Sequence, residues 1–63
     1  MYIIGYRAGV NSVEATLAVK KHTGKSLSES KKLIDEAIKG TPISLPDDFV
    51  LREDLEEFGF KIQ

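Results

Sequence analysis

The residues able to do chemistry are few and widely separated in this chain. His22 is the single histidine, and there is no cysteine among the 63 residues. Nucleophilic catalysis needs a base beside the nucleophile, and a zinc site needs several converging ligands. A lone histidine without a thiol supplies neither arrangement. We therefore expect no enzymatic activity, no catalytic residue, no metal site and no cofactor.

Acidic residues cluster near the C-terminal end of the sequence. They do not form the Asp-x-Asp-x-Asp-Gly loop of a calcium site, so we interpret them as the solvated face of a helix. Asp54 lies between Val50 and Phe58 on that helix. Either the apolar stripe is narrow there, or Asp54 pairs with a basic residue of an earlier element. The clustered acids are Glu53, Asp54, Glu56 and Glu57.

Basic residues are concentrated in the first two thirds of the chain. Residues 1–40 carry a net charge of +3 and residues 41–63 a net charge of −4, within a total of −1. An overall acidic protein without aromatic residues among its lysines is not expected to bind nucleic acid. A weak nucleic-acid or ribosome-associated binder remains the alternative function, using the lysines of the first two helices. Those lysines are Lys20, Lys21, Lys25, Lys31 and Lys32.

The composition is that of one small folded domain. Hydrophobic residues make up 41% and charged residues 30% of the chain, which is ordinary for a globular protein. We predict a single domain over residues 1–63. There is no apolar run of membrane-spanning length and no leader pattern, so we expect a cytoplasmic protein without a membrane partner.

Capping signals mark the first two helices. In each helix, a capping residue is followed three positions later by glutamate. The two side chains together accept hydrogen bonds from the free backbone donors at the start of the helix. We expect these helices to end before Gly24 and Gly40, since glycine commonly follows a helix. The capping pairs are Asn11 with Glu14 and Ser26 with Glu29. The apolar arc of the second helix comprises Leu27, Ser30, Leu33, Ile34, Ala37 and Ile38.

A third helix and three short strands complete the prediction. Ser44 with Asp47 is predicted to cap the third helix, whose apolar face carries Val50, Leu51, Leu55 and Phe58. Strands are predicted at residues 2–6, 41–43 and 60–63, the second one at a sheet edge because of its proline. The fold class is α+β, in the order β-α-α-β-α-β. Three helices are expected to pack on one face of a small three-stranded antiparallel sheet.

The first helix carries apolar residues on two separate faces. The small residues Ala15, Ala18 and Val19 suit close packing, whereas Val13 and Leu17 form an i,i+4 pair that points elsewhere. An apolar spot with basic neighbours is typical of a protein-binding patch. Alternatively, the pair packs on a neighbouring element.

Phe49 lies off the apolar stripe of the third helix. It either packs on the preceding loop or marks a self-association surface.

Several segments resemble the C-terminal domain of the bacterial ribosomal stalk protein. They are VEATLAVK at residues 13–20, TG at 23–24, LSESKKLID at 27–35 and LEEFG at 55–59. The resemblance extends over nearly the whole chain and implies the same β-α-α-β-α-β fold. Because the dimerisation domain and hinge of that family are missing, we expect a free-standing copy of the domain.

The resemblance implies a docking function. In that family the first helix and the start of the second recruit translation GTPases through a mixed basic and apolar patch. The expected partner is therefore a protein, a translation GTPase or another ribosome-associated factor. Ser12 and Leu17 stand where lysine is usual in the family, and Thr16 where isoleucine is usual. The candidate partner-binding residues are Ser12, Val13, Thr16, Leu17, Lys20, Lys21 and Lys31.

Overall fold

The structure is a computed structural model that describes all 63 residues, from Met1 to Gln63. Three helices and three strands follow one another in the order β-α-α-β-α-β, so the predicted α+β class is confirmed. None of the helices is long and apolar enough to cross a membrane. The elements are β1 Tyr2–Tyr6, α1 Ser12–Thr23, α2 Leu27–Ile38, β2 Ile43–Ser44, α3 Phe49–Glu57 and β3 Phe60–Ile62.

The first two helices begin where the capping signals place them. The side-chain oxygen of Asn11 accepts a hydrogen bond from the Glu14 amide at 3.1 Å, and Ser26 Oγ accepts one from the Glu29 amide at 3.1 Å. Each bond satisfies a backbone donor that a helix N-terminus leaves free. Gly24 ends α1 with a φ of 74°, which glycine adopts without strain.

The third helix begins later than the sequence predicts. Ser44 does not cap it, because Ser44 belongs to β2; the capping residue is Asp48, whose Oδ1 accepts a hydrogen bond from the Leu51 amide at 3.1 Å. The Leu45 amide donates to the Met1 carbonyl at 2.8 Å. This bond continues the strand pairing past Ser44 and keeps the chain extended where a helix was predicted.

The sheet has β1 as its central strand, with β2 and β3 antiparallel on either side. The β1–β3 register shifts between Ile3 and Gly5, so Ile4 is the extra residue of a β-bulge. Ile3 is 1% exposed and Ile4 is 54% exposed. Adjacent isoleucines therefore have different environments, Ile3 in the core and Ile4 in solvent.

The core lies between the sheet and the helices. Strands β1 and β2 contact α2, β3 contacts α3, and α1 packs against α2 and α3. Ala15 and Val19 are fully buried, which confirms the predicted packing face of α1. The buried apolar residues are Ile3, Ala15, Ala18, Val19, Ile34, Ala37, Ile43, Leu45, Leu51, Leu55 and Phe60.

Two residues assigned to buried faces are exposed instead. Leu27 is 52% exposed and Val50 is 56% exposed. Leu27 is the first residue of α2, and Val50 lies in the first turn of α3. The buried side of α3 runs through Leu51 and Leu55, and Val50 lies about 100° away from Leu51 around the helix. Leu27 stands at the very start of α2, before Ser30, the first buried residue of that helix.

Candidate protein-docking site

A groove of about 330 Å³ lies between α1 and α2. Leu27 and Asp35 contribute to it, although neither was among the predicted partner-binding residues. The other residues of its lining were all candidates for partner binding. We call it the α1–α2 groove, and its lining comprises Ser12, Val13, Thr16, Leu17, Leu27, Lys31 and Asp35.

Three exposed aliphatic side chains form the apolar part of the α1–α2 groove. Val13 is 69%, Leu17 47% and Leu27 52% exposed. Val13 and Leu17 lie one helical turn apart on α1, on the side away from its packing face. They are therefore not covered by a neighbouring element, which was the alternative to a binding patch.

The main polar groups of the α1–α2 groove are bonded within the protein. Thr16 Oγ1 donates a hydrogen bond to the Ser12 carbonyl at 2.8 Å, and Thr16 itself is only 8% exposed. Lys31 Nζ lies 2.8 Å from Asp35 Oδ2, an i,i+4 ion pair on α2. The hydroxyl of Thr16 and the ammonium group of Lys31 thus already have partners before anything binds.

Two of the candidate lysines lie outside the α1–α2 groove. Lys20 is exposed on α1, and Lys21 lines a separate groove towards α3 together with Glu14 and Asp54. Leu17 lines both grooves and forms the ridge between them. Of the three candidate lysines, only Lys31 lines the α1–α2 groove, whereas Lys21 meets Leu17 in the second groove.

His22 connects the last turn of α1 to α3. Its Nδ1 lies 3.6 Å from Asp48 Oδ2 and its Nε2 lies 3.4 Å from Asp54 Oδ2, and the imidazole is 15% exposed. Asp54 therefore faces a basic residue of an earlier element, one of the two arrangements that its position allowed. Through these contacts His22 ties α1 to α3, and α1 supplies one wall of the α1–α2 groove.

A second exposed region surrounds the chain start. Phe49 is 74% exposed and borders a shallow depression with Met1 and Arg52, so it does not pack on the preceding loop.

The Met1 ammonium group donates to Asp47 Oδ1 at 2.6 Å. This hydrogen bond, and then the positive charge of the ammonium group, hold the pKa of Asp47 below its ordinary value.

Two further features concern polar groups. No three or more histidine, cysteine, aspartate or glutamate residues are grouped so that they could hold a metal ion.

Ser30 of α2 is fully buried, and its Oγ has no hydrogen-bond partner. A buried hydroxyl without a partner is costly, so replacing Ser30 by the smaller alanine should not destabilise the fold.

The fold and the α1–α2 groove define a small α+β domain with an exposed apolar groove between its first two helices. Comparison with known proteins then shows what it is similar to. The chain is 36% identical to the large ribosomal subunit protein bL12 of Bordetella avium, over 97% of this chain and 50% of that protein. The bL12 proteins of Bordetella pertussis and Bordetella bronchiseptica match at the same identity and coverage.

These matches confirm the resemblance to the C-terminal domain of the bacterial ribosomal stalk protein. The chain is similar to this ribosomal stalk protein, and it spans about half the length of the curated relatives it matches. No known protein-family profile matches the chain, and no solved structure matches it.

Proposed function

We propose that residues 1–63 form one non-enzymatic docking domain, which binds a protein partner through α1 and the start of α2. The observation that carries this proposal is the α1–α2 groove. It places Val13, Leu17 and Leu27 together in solvent, beside Lys31. Exposed apolar residues that are contiguous and have a polar rim are typical of protein-binding sites.

The relatives indicate what kind of partner to expect. They are named as proteins of the large ribosomal subunit. We therefore propose a ribosome-associated protein as the partner, with a translation GTPase as the first candidate, and the cytoplasm as the place of action. Lys20 and Lys21 lie outside the α1–α2 groove, so in this proposal they steer the approach of the partner rather than contact it at the groove.

The proposal is tested by affinity capture from the lysate of the native host. The bait is the wild-type chain beside a Val13→Asp/Leu17→Asp double variant. Both positions are exposed, so the variant should fold, and circular dichroism checks this. A translation GTPase or other ribosomal factor should be captured by the wild type and lost by the variant.

Phe49→Asp provides the matched control. It introduces one negative charge, where the double variant introduces two, at a side chain that is 74% exposed and lies outside the α1–α2 groove. It should capture the partner as well as the wild type does. Equal capture by the folded double variant would contradict docking at the α1–α2 groove, and loss of capture in Phe49→Asp would move the site to α3.

A further inference from the structure

The walls of the α1–α2 groove present mostly carbon to an incoming molecule. The Thr16 hydroxyl donates a hydrogen bond to the Ser12 carbonyl. An incoming molecule therefore meets mainly the methyl group of the Thr16 side chain. Val13, Leu17 and Leu27 supply aliphatic side chains. Outside the Ser12 hydroxyl and the Lys31–Asp35 pair, a polar side chain of the partner would lose hydration here without gaining hydrogen bonds, which is unfavourable. Apolar side chains would gain from burial.

The charges that line the α1–α2 groove cancel. Lys31 and Asp35 are its two charged residues, and they are paired at 2.8 Å. A carboxylate on the partner would have to compete with Asp35 for Lys31 and would be repelled by Asp35 itself. An acidic segment is therefore not complementary to this groove. A segment without net charge is neither attracted nor repelled by the Lys31–Asp35 pair.

The backbone of the walls also restricts the conformation of the partner. Both walls are helices, so the groove offers no row of unpaired strand groups to which an extended peptide could add. A partner segment here has to satisfy its own backbone hydrogen bonds, which a helix does. Val13 and Leu17 lie one turn apart, and apolar side chains repeated every three or four residues on a partner helix match that spacing.

From these observations we infer that the α1–α2 groove binds an uncharged amphipathic helix of its protein partner, which inserts aliphatic or aromatic side chains between α1 and α2. The inference rests on the proposed docking function and specifies its chemistry. Within the groove itself it gives Lys31 no attractive role towards the partner, because Lys31 is paired with Asp35, and Lys20 and Lys21 lie outside the groove lining.

A random peptide library displayed on phage and selected against the intact 63-residue chain tests the inference. Enriched peptides should carry two or three aliphatic or aromatic residues spaced three or four apart, without an excess of acidic residues. Binding of the synthesised peptides is then measured by fluorescence anisotropy. Their dissociation constants should change by less than about threefold between about 50 mM and about 500 mM salt, because no net charge is involved.

Single variants locate the binding and its charge requirement. Leu27→Asp should weaken the enriched peptides at least about tenfold, whereas Phe49→Asp should leave their affinity unchanged. Asp35→Asn leaves Lys31 without its partner. Selection against Asp35→Asn should therefore enrich acidic peptides that the wild type does not.

Three results would overturn the inference: enrichment of acidic peptides with steep salt dependence on the wild type, equal binding of the peptides to Leu27→Asp, or no enrichment at all. The lysate experiment separates this failure from failure of the proposed function. If the natural partner depends on Val13 and Leu17 but binds through an acidic, salt-sensitive segment, docking stands and the inference on its chemistry is wrong.

Discussion

Gly59 lies between α3 and β3, against the loop that precedes α1, and its replacement by alanine should strongly destabilise the domain. Gly59 has a φ of 109°, and a Cβ atom there would lie 3.1 Å from Val10 Cα. The Gly59 carbonyl accepts a hydrogen bond from the Arg7 amide at 2.7 Å, and the Phe58 carbonyl accepts one from the Asn11 amide at 2.8 Å. The backbone cannot easily move away from the new methyl group, because both neighbouring bonds hold it.

Two effects determine the size of the loss. A residue with a side chain costs roughly 1–2 kcal/mol in the left-handed region, and a φ of 109° lies well beyond the usual minimum near +57°. The contact with the Val10 backbone adds about 1–3 kcal/mol, as overpacking does elsewhere. The sum of about 2–5 kcal/mol is a large part of the total stability, which for a domain of this size is about 3–9 kcal/mol.

Urea unfolding followed by circular dichroism measures this loss, with Gly24→Ala as the matched control. Gly24 also has a positive φ, of 74°, but a Cβ atom there would meet nothing within 4 Å. Gly24→Ala should therefore show only the conformational cost, and Gly59→Ala should unfold at a clearly lower urea concentration with a similar slope. If the two variants lose equal stability, the argument from the Val10 contact is refuted.

Four further substitutions test individual hydrogen bonds and charges. Ser30→Ala should leave the free energy of unfolding unchanged or raise it by up to about 1 kcal/mol in urea titrations, because it removes a buried hydroxyl that has no partner. In the same assay, Asp48→Ala should lower it by about 1 kcal/mol, and Ser44→Ala, which removes no cap, by less than about 0.5 kcal/mol. Asp47→Asn should lower the melting temperature at neutral pH. Since the folded-state pKa of Asp47 is depressed, its contribution is present above the ordinary value of 3.8 and is lost as the pH falls through the folded-state pKa. The difference between Asp47→Asn and the wild type should therefore close in acid, and a difference independent of pH would contradict the ion pair with Met1.

Local signals were sufficient to predict most of the fold. The caps at Asn11 and Ser26 depend on residues three positions apart, and the structure forms both bonds as predicted. The start of α3 depends on a partner far away in sequence. Because the Leu45 amide donates to the Met1 carbonyl, the chain stays extended through Ser44, although Ser44 and Asp47 have the spacing of a cap. No local pattern contains that long-range information.

The candidate site likewise could be predicted where it depends on local signals and not where it depends on contacts between helices. Helical periodicity on α1 separates Val13 and Leu17 from the packing face, and of the two alternatives that this left open, exposure is the one found. The contribution of Leu27 depends on how the first turn of α2 lies against α1, which periodicity along one helix does not contain. The pairing of Lys31 with Asp35 could have been predicted from the sequence, because an i,i+4 pair of opposite charge on one helix is expected to interact.

The arrangement of α1 explains how this fold can persist while its recognition chemistry changes. Ala15 and Val19 are fully buried, and they hold α1 against α2 and α3. Val13 and Leu17 lie on the opposite, exposed side and contribute little to the core. Substitutions on this exposed side alter the α1–α2 groove at small cost in stability, whereas substitutions at Ala15 or Val19 overpack or empty the core. A chain 36% identical to its relatives can therefore keep the fold and still select a partner of different chemistry.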